Sequence, residues 1–244
     1  MGALEFVRSG DGAPSIVLVN GAGAPIEGWF RVYGELERLG AVLAYNRFGI
    51  GGSHKTADPQ TGQAVVRALR ELLSATDVRP PFVLVGHSIG GLYVNLFARL
   101  HPTEVAGVVL LDAPHPDDLD ALGEMKTPLM RKVEKGLEFI LGPPAGNEIP
   151  YATTTVRQIA EASSFPQRPV AVVTGGKAPP SWLMPKAAVA VRQANQRKFL
   201  SLSRQAWQVV AARSGHTPQL SEPTVVIGAI RDVLEAARQQ KCEN

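Results

Sequence analysis

The stretch FVLVGHSIGGLYV (residues 82–94) places a serine between two glycines where one structural pattern gives way to another. Four apolar residues, 82–85, are typical of a buried strand, and 92–99 continues with the pattern of a helix. A Gly-x-Ser-x-Gly turn between a strand and a helix forces the serine onto a strained elbow that exposes its hydroxyl. The pattern therefore predicts that Ser88 is a nucleophile. The alternative is a glycine-rich turn that serves tight packing.

Apolar runs of strand length recur along the chain and alternate with helical patterns. The runs span 15–20, 41–46, 82–86, 105–112, 169–175 and 205–212. Most are rich in valine and leucine without polar alternation, as expected of strands buried on both faces. Amphipathic helices are predicted at 65–73 and 226–237. This order predicts a single α/β domain over 1–244 with a doubly wound, mainly parallel sheet. An antiparallel hairpin at the N-terminus is a further expectation.

The interval between the strands at 105–112 and 169–175 breaks the alternation. It contains no strand-like run, but it predicts two helices. One carries the apolar stripe Leu129, Val133, Leu137 and Ile140, and the other spans 153–162. The interval is short for an independent domain. We therefore expect 115–168 to form a small helical lid, inserted after the strand that ends at Asp112.

Composition and charge argue against several classes of protein. The net charge is +3, but lysine and arginine are scattered, which argues against a nucleic-acid partner. Cys242 is the only cysteine, so neither an internal disulfide nor a thiolate metal cluster can form. Residues 1–12 lack the apolar core of a signal peptide, and no apolar run approaches the ~20 residues of a membrane span. We expect a cytoplasmic protein without a membrane partner.

A serine nucleophile needs a base. The chain has five histidines: His54, His87, His101, His115 and His216. His216 follows the last strand-like run, at the carboxyl edge where open parallel sheets bind their ligands. It is our predicted base. His115 is the competitor, because it also follows a strand, and His87 should point away from the serine hydroxyl.

The base needs a carboxylate to fix its tautomer. The stretch that follows 169–175 contains no acid, whereas the run 105–112 ends on Asp112, at the carboxyl edge. A right-handed crossover makes that strand the neighbour of the strand that carries Ser88. Asp112 is therefore our predicted acid, and Asp117 is the alternative.

Two backbone amides are predicted to bind the oxyanion of an acyl-transfer reaction. Ile89 lies at the start of the helix after the elbow, where its amide can donate. The flexible turn NGAGAP (20–25) lets the backbone approach a substrate closely, and Ala22 is its predicted donor. Nucleophile, acid and histidine thus occur in that order, each just beyond a strand.

With these features, the sequence resembles an α/β-hydrolase-fold protein over nearly its whole length. GHSIGG (86–91) resembles the nucleophile elbow of that fold and SGH (214–216) its histidine loop. The segment from Asn20 to Trp29 resembles the His-Gly…Trp segment, with asparagine for histidine. YNRFGIGGS (45–53) resembles the Tyr-Asp-Arg-Pro-Gly-x-Gly-x-Ser loop, in which Asn46 and Phe48 are the departures.

The resemblance implies a reaction without metal or cofactor. Ser88 would attack the acyl carbon of a small ester, and water assisted by His216 would release the acid. The family most often places its acid one strand later than Asp112, but its lipase and dehalogenase branches use this position. Arg47 is expected to anchor the oxyanion loop.

The lid would line the substrate pocket, and its apolar residues suggest a modest apolar substrate. The residues expected to contact substrate are Trp29, Leu129, Met130 and Leu137. Cleavage of lactones, amides, thioesters or C–C bonds and a cofactor-free perhydrolysis remain alternative reactions, since the same triad serves them. A small-molecule receptor that turns over slowly or not at all is the alternative from a different class.

Overall fold

The structure is a computed structural model that describes residues 2–118, 148–182 and 184–243, together with residues 132, 135, 136 and 139. The described residues form a seven-stranded sheet with the strand order β1-β3-β2-β4-β5-β6-β7. The strands are β1 (Phe6–Ser9), β2 (Ser15–Val19), β3 (Val42–Tyr45), β4 (Phe82–His87), β5 (Val105–Leu111), β6 (Val170–Gly175) and β7 (Ala206–Ala211). All six predicted strands are confirmed.

Strands β2 to β7 run parallel, and β1 is antiparallel to β3, with Phe6 opposite Tyr45. The expectation of an N-terminal hairpin is wrong in its pairing. Strand β2 is flanked by β3 and β4, so it has no free edge to offer to β1. The first strand therefore crosses to the exposed edge of β3 instead of pairing with its neighbour in sequence.

Helices cover both faces of the sheet, because alternate residues of each central strand point to opposite sides. In β2, Val17 and Val19 join one apolar cluster, whereas Ile16 and Leu18 join the other. The α-helices within 2–118, 148–182 and 184–243 are α1 (Tyr33–Leu36), α2 (Gly62–Ala75), α3 (Gly90–Leu100), α4 (Ala152–Glu161), α5 (Lys186–Lys198), α6 (Pro218–Ser221) and α7 (Pro223–Glu243). This is the doubly wound α/β architecture that the sequence predicts.

The first cluster lies under α2 and α3, and the second lies under α7. The C-terminal helix α7 packs against β5 through residues such as Ile230 and Val233, which have no exposed surface. Within the described part of the chain, no helix has the length and apolar character that a membrane span requires.

Helix α4 matches the helix predicted at 153–162. It packs against α2 and α3, and the Thr155 hydroxyl accepts a hydrogen bond of 2.9 Å from the backbone amide of Gly62. The lid bounds 115–168 stay a prediction. Leu129, Met130 and Leu137, which were expected to contact substrate, lie outside the described residues.

Helix α5 was not predicted. Its sequence, KAAVAVRQANQRK, has no regular apolar stripe, and its buried residues are Ala188, Asn195 and Gln196. Two of these three are polar, so the inward face of the helix cannot be recognised from hydrophobic periodicity. This helix nevertheless contributes directly to the site described next.

Candidate active site

The Gly-x-Ser-x-Gly turn has the strained geometry that its sequence pattern predicts. Ser88 lies between β4 and α3 with a φ of +51°, a left-handed conformation that L-residues rarely adopt. A Cβ atom at Gly86 would lie 2.6 Å from the carbonyl oxygen of Gly90. A Cβ atom at Gly90 would lie equally close, at 2.6 Å, to the carbonyl oxygen of Asn20. Both positions therefore require glycine for the turn to form.

Three side chains from three different loops meet at the carboxyl edge of the sheet. The Oγ of Ser88 lies 3.0 Å from the Nε2 of His216, and the Nδ1 of His216 lies 2.6 Å from the Oδ2 of Asp112. An ionised carboxylate can only accept, so Nδ1 carries the proton and Nε2 is free to accept from the serine hydroxyl. The His216 side chain is 52% exposed and that of Asp112 is 8% exposed. The reactive end is therefore open to solvent, and the acid is enclosed.

Three further donor groups make four hydrogen bonds to the carboxylate and the backbone carbonyl of Asp112. The Oδ1 atom accepts from the Gly175 amide at 3.2 Å and from the Nε2 of Gln196 at 3.0 Å. The Nη2 of Arg192 lies 2.7 Å from Oδ2 and 2.8 Å from the Asp112 carbonyl oxygen. The Asp112 amide donates to the Val173 carbonyl at 2.7 Å. The position of the acid is thus fixed from the end of β6 and from α5.

These contacts also decide the charge of the acid. Burial raises the pKa of Asp112, but the hydrogen bond from His216 and the positive charge of Arg192 outweigh it. The pKa of Asp112 therefore lies well below its usual range. The carboxylate is ionised at neutral pH, which is the state that a catalytic imidazole requires of its partner.

His87 supports the histidine loop from inside the elbow. Its Nε2 donates a 2.8 Å hydrogen bond to the backbone carbonyl of His216, and the two rings are 5.0 Å apart. Burial, together with the nearby His216, lowers the pKa of His87 to about 4. His87 is therefore neutral at neutral pH and acts through its N–H group. This agrees with the expectation that it does not approach the serine hydroxyl as a base.

The course of the histidine loop is fixed by close packing against the end of β6. The Lys177 amide donates to the Ser214 carbonyl at 2.7 Å, and Ser214 is fully buried. A Cβ atom at Gly175 would collide with the carbonyl oxygen of Gly215. The loop therefore lies directly against the strand next to β5, which lets His216 reach an acid at the end of β5.

The predicted oxyanion donors come from two adjoining segments. Ile89 is the N-cap residue of α3, directly after Ser88. The loop that carries Ala22 approaches the same serine, since a Cβ atom at Gly21 would lie 3.2 Å from the Cβ of Ser88 and 3.0 Å from the Nδ1 of His87. Glycine at position 21 is what allows the loop to pass this close.

A buried ion pair anchors that loop. Arg47 donates from Nη1 to the Asn20 carbonyl at 2.9 Å and from Nη2 to the Gly21 carbonyl at 2.7 Å. Its Nε and Nη2 also donate to the Glu148 carboxylate, the latter at 2.8 Å. The Arg47 and Glu148 side chains are 2% and 3% exposed, and the guanidinium lies 5.4 Å from the Tyr93 ring centroid. The expectation that Arg47 anchors the loop at 20–25 is confirmed, and the role of that loop in binding an oxyanion stays a prediction.

The two asparagines that depart from the family pattern brace the far side of the same loop. The Nδ2 of Asn20 donates to the Pro25 carbonyl at 2.8 Å. The Oδ1 of Asn46 accepts from the Ile26 amide at 2.8 Å, and its Nδ2 donates to Glu5 at 2.5 Å. The Asn20 side chain thus joins the two ends of the turn through one donated bond. The Asn46 amide donates and accepts at once, and it ties Ile26 to Glu5.

The alternative acid and base make their contacts elsewhere. The Asp117 carboxylate is 51% exposed and pairs with the Nζ of Lys198 at 2.5 Å. The His115 ring packs against Phe199, with 4.8 Å between ring centroids. The structure thus brings together Ser88, Asp112 and His216.

Trp29 requires a correction. The structure buries it completely, in the apolar cluster that also contains Ile16, Leu18 and Leu36. The short helical turn Ile26–Trp29 directs the ring into the core beneath the sheet. A side chain without exposed surface is a packing residue, so the prediction that Trp29 contacts substrate is wrong.

Three residues of the site are not predicted from the sequence. Arg192 and Gln196 lie four positions apart and therefore share one face of α5, which is the only signal in the sequence that they act together. Glu148 has no local signal. Only the requirement that a buried arginine be paired indicates that such a carboxylate must exist. Among the residues that the structure describes, no group of three or more His, Cys, Asp or Glu side chains is arranged to hold a metal ion.

Comparison with known proteins gives a consistent result. Residues 16–229 match the family model of the Alpha/beta hydrolase family. The uncharacterized protein YqjL of Bacillus subtilis is 29% identical over 238 residues, which cover 96% of this chain and 88% of that protein.

Two solved structures share the fold. A thermophilic esterase from Thermogutta terrifontis has a TM-score of 0.68 at 21% identity, covering 97% of this chain and 94% of that one. The enol-lactonase from Burkholderia xenovorans LB400 has a TM-score of 0.68 at 19% identity, covering 96% and 97% respectively. At these identities the likeness is one of fold.

The buried ion pair leads to a stability prediction. Replacement of Glu148 by glutamine leaves the Arg47 charge buried without a counter-charge. We expect the free energy of unfolding, measured by urea denaturation, to fall by about 3–5 kcal/mol. Glu35→Gln is the matched control, because Glu35 pairs with Arg38 on the exposed surface. It should change stability little.

The double variant Arg47→Met/Glu148→Leu separates charge burial from packing. It removes both charges, so it should recover much of the stability that Glu148→Gln loses. A loss after Glu148→Gln no larger than that after Glu35→Gln would contradict the assigned role of the pair.

Proposed function

The chain belongs to the alpha/beta hydrolase family, and we propose that it is a serine hydrolase that cleaves carboxylic esters of modest size through an acyl-enzyme on Ser88. One observation carries the proposal: the hydrogen-bonded chain from the Ser88 hydroxyl through His216 to Asp112, with separations of 3.0 and 2.6 Å. A serine hydroxyl is a weak nucleophile at neutral pH until an adjacent base accepts its proton. The strained elbow, with a φ of +51° at Ser88, supports the same role.

Acylation begins when the Ser88 oxygen attacks the acyl carbon and its proton passes to the Nε2 of His216. The C=O bond of the ester becomes a C–O⁻ single bond, and Asp112 stabilises the imidazolium that forms. The imidazolium then gives its proton to the leaving alcohol oxygen as the ester C–O bond breaks. Ser88 is left as an acyl ester, and His216 is neutral again.

Deacylation repeats these steps with water. His216 accepts a proton from the water as the water oxygen attacks the acyl carbon, and returns that proton to the Ser88 oxygen as the carboxylic acid leaves. The oxyanion of each tetrahedral intermediate is assigned to the amides of Ala22 and Ile89. Arg47 supports this assignment indirectly, because it holds the carbonyls of Asn20 and Gly21 on the loop that carries Ala22.

Esters are the proposed substrates because Ser88, His216 and Asp112 are arranged as acyl transfer requires. A lactone presents the same acyl carbon in a ring, so the chemistry of the site covers both. The esterase from Thermogutta terrifontis and the enol-lactonase from Burkholderia xenovorans, which share the fold, support a carboxylic acyl carbon as the reacting centre. The alternative is a receptor that binds its ligand without turnover. The following experiments distinguish such a receptor from an esterase.

Replacement of Ser88 by alanine should abolish turnover of p-nitrophenyl acetate and butyrate while the fold remains intact. Only binding and oxyanion stabilisation would remain, so kcat should fall by on the order of 10⁴ or more. A fluorophosphonate should label the wild-type chain at Ser88, as identified by mass spectrometry. Ser164→Ala, at an exposed serine, is the control and should retain activity.

Two results would contradict the nucleophile assignment: substantial activity in Ser88→Ala, or labelling at another serine. Tight binding of the ester with a single slow turnover in the wild-type protein would favour a receptor.

The assignment of the acid is tested by two isosteric substitutions. Asp112→Asn keeps the shape but offers an amide to His216, which favours the wrong imidazole tautomer. The expected loss is up to about 10⁴-fold in kcat, with little change in KM. Asp117→Asn is the matched control and should change kcat little, since Asp117 pairs with Lys198. The reverse pattern would place the acid in the loop after β5.

Substrate size follows from the proposed lid. The interval 115–168 is short, so we expect it to cover a modest pocket. The kcat/KM values for p-nitrophenyl acetate and butyrate should exceed the value for the palmitate ester. Values that rise steadily with chain length up to palmitate would show that the site accepts long acyl chains, and the proposal of a modest substrate would be wrong.

A further inference from the structure

Helix α5 delivers a positive charge to the carboxylate that faces the predicted base. The Nη2 of Arg192 lies 2.7 Å from the Oδ2 of Asp112, and that oxygen also accepts the 2.6 Å hydrogen bond from the Nδ1 of His216. The Arg192 side chain is 20% exposed and that of Asp112 is 8% exposed. The guanidinium and the imidazole thus share one oxygen of a largely enclosed carboxylate, where solvent and salt screen charges weakly.

This arrangement has two opposite effects on His216. By binding both Oδ2 and the backbone carbonyl, Arg192 holds Asp112 in line with the imidazole. By placing a cation on the same oxygen, it also offsets part of the negative charge that would stabilise a protonated imidazole. The first effect strengthens the influence of Asp112 on His216, and the second weakens it.

The second effect can be separated from the first because other donors hold the carboxylate. The Oδ1 atom accepts from the Gly175 amide at 3.2 Å and from Gln196 at 3.0 Å. The Asp112 amide is tied to Val173 at 2.7 Å. Removal of the guanidinium therefore leaves Asp112 with these three anchors, and the change in charge should dominate.

On the basis of the function proposed above, we propose that Arg192 is a positioning residue that acts on His216 through Asp112. It holds the carboxylate in line with the imidazole and offsets part of the negative charge that the imidazole faces. Arg192 contacts neither the serine nor the imidazole nitrogens in this role. It acts on the reaction through the carboxylate oxygen that it shares with His216.

In the part of the chain that the structure describes, His87 at the end of β4 also faces this pair, with its ring 5.0 Å from that of His216. Burial lowers the pKa of His87 to about 4, so His87 stays neutral over the range in which an imidazole base works. Arg192 is also among the causes that lower the pKa of Asp112, after the opposing effect of burial and the hydrogen bond from His216. Arg192 is therefore the charge whose removal tests the proposal.

The test is a pH titration of Arg192→Met beside the wild-type chain. Two readouts are followed: the NMR signal of the His216 ring C–H, and the acidic limb of kcat/KM for p-nitrophenyl butyrate. Loss of the cation should favour the protonated imidazole and move both midpoints upward by about one pH unit. Arg192→Lys keeps the charge and should leave both midpoints near the wild-type values.

Matched variants exclude a general effect of charge or packing. Arg197→Met makes the same change in net charge at an exposed position of the same helix, so it should not move the midpoint. Gln196→Leu removes a neutral donor from the other carboxylate oxygen and should shift the midpoint less than Arg192→Met. Arg192→Gln is a second neutral variant, in case the methionine variant does not fold, and should reproduce the upward shift.

The direction of the shift decides the outcome. If Arg192 only braces the acid, its loss lets Asp112 move away from His216, and the midpoint stays the same or falls, which overturns the proposal. The NMR titration does not depend on turnover. A chain that hydrolyses no ester but shows the upward shift would refute the proposed function and still support the role of Arg192.

Discussion

The site depends on one buried carboxylate, that of Asp112, kept ionised by donors from three parts of the fold. Gly175 reaches it from the end of β6, Arg192 and Gln196 from α5, and His216 from the loop after β7. An unpaired buried charge would be strongly unfavourable, so these elements are stable together only when the charge is satisfied. The same contacts that compensate the buried charge also orient the imidazole towards Ser88.

A second buried charge organises the other half of the site by the same principle. Arg47 is buried beside Tyr93 and pairs with Glu148. It also donates hydrogen bonds to the carbonyls of Asn20 and Gly21. One half of the site thus rests on a buried anion and the other on a buried cation. In both, a single charge ties a loop to a segment distant in sequence, which is how loops that must stay accessible become rigid.

The sequence predicts the elements of the fold that have apolar periodicity, and it predicts the site residues that directly follow a strand. The buried strands are continuous apolar runs, and Ser88, Asp112 and His216 could be found because each follows one of them. Helix α5 could not be found, since its inward face carries Asn195 and Gln196 in place of an apolar stripe. The prediction that Trp29 contacts substrate is wrong because a motif gives the position of a residue in the chain only. It does not show whether the ring points into the core or into the site.

Backbone strain links the fold to the proposed chemistry. Among the described residues, three non-glycine positions have positive φ, and two of them are Ser88 at +51° and Asp112 at +43°. Each donates its amide to the next strand, Ser88 to Leu111 at 3.0 Å and Asp112 to Val173 at 2.7 Å, so the sheet ladder extends one residue past the strand before the chain turns. Such conformations cost on the order of 1–3 kcal/mol each and persist only where the surroundings enforce them. They occur at the ends of adjacent strands, on the two residues whose side chains contact the two ring nitrogens of His216. The sheet therefore directs both side chains towards the same imidazole.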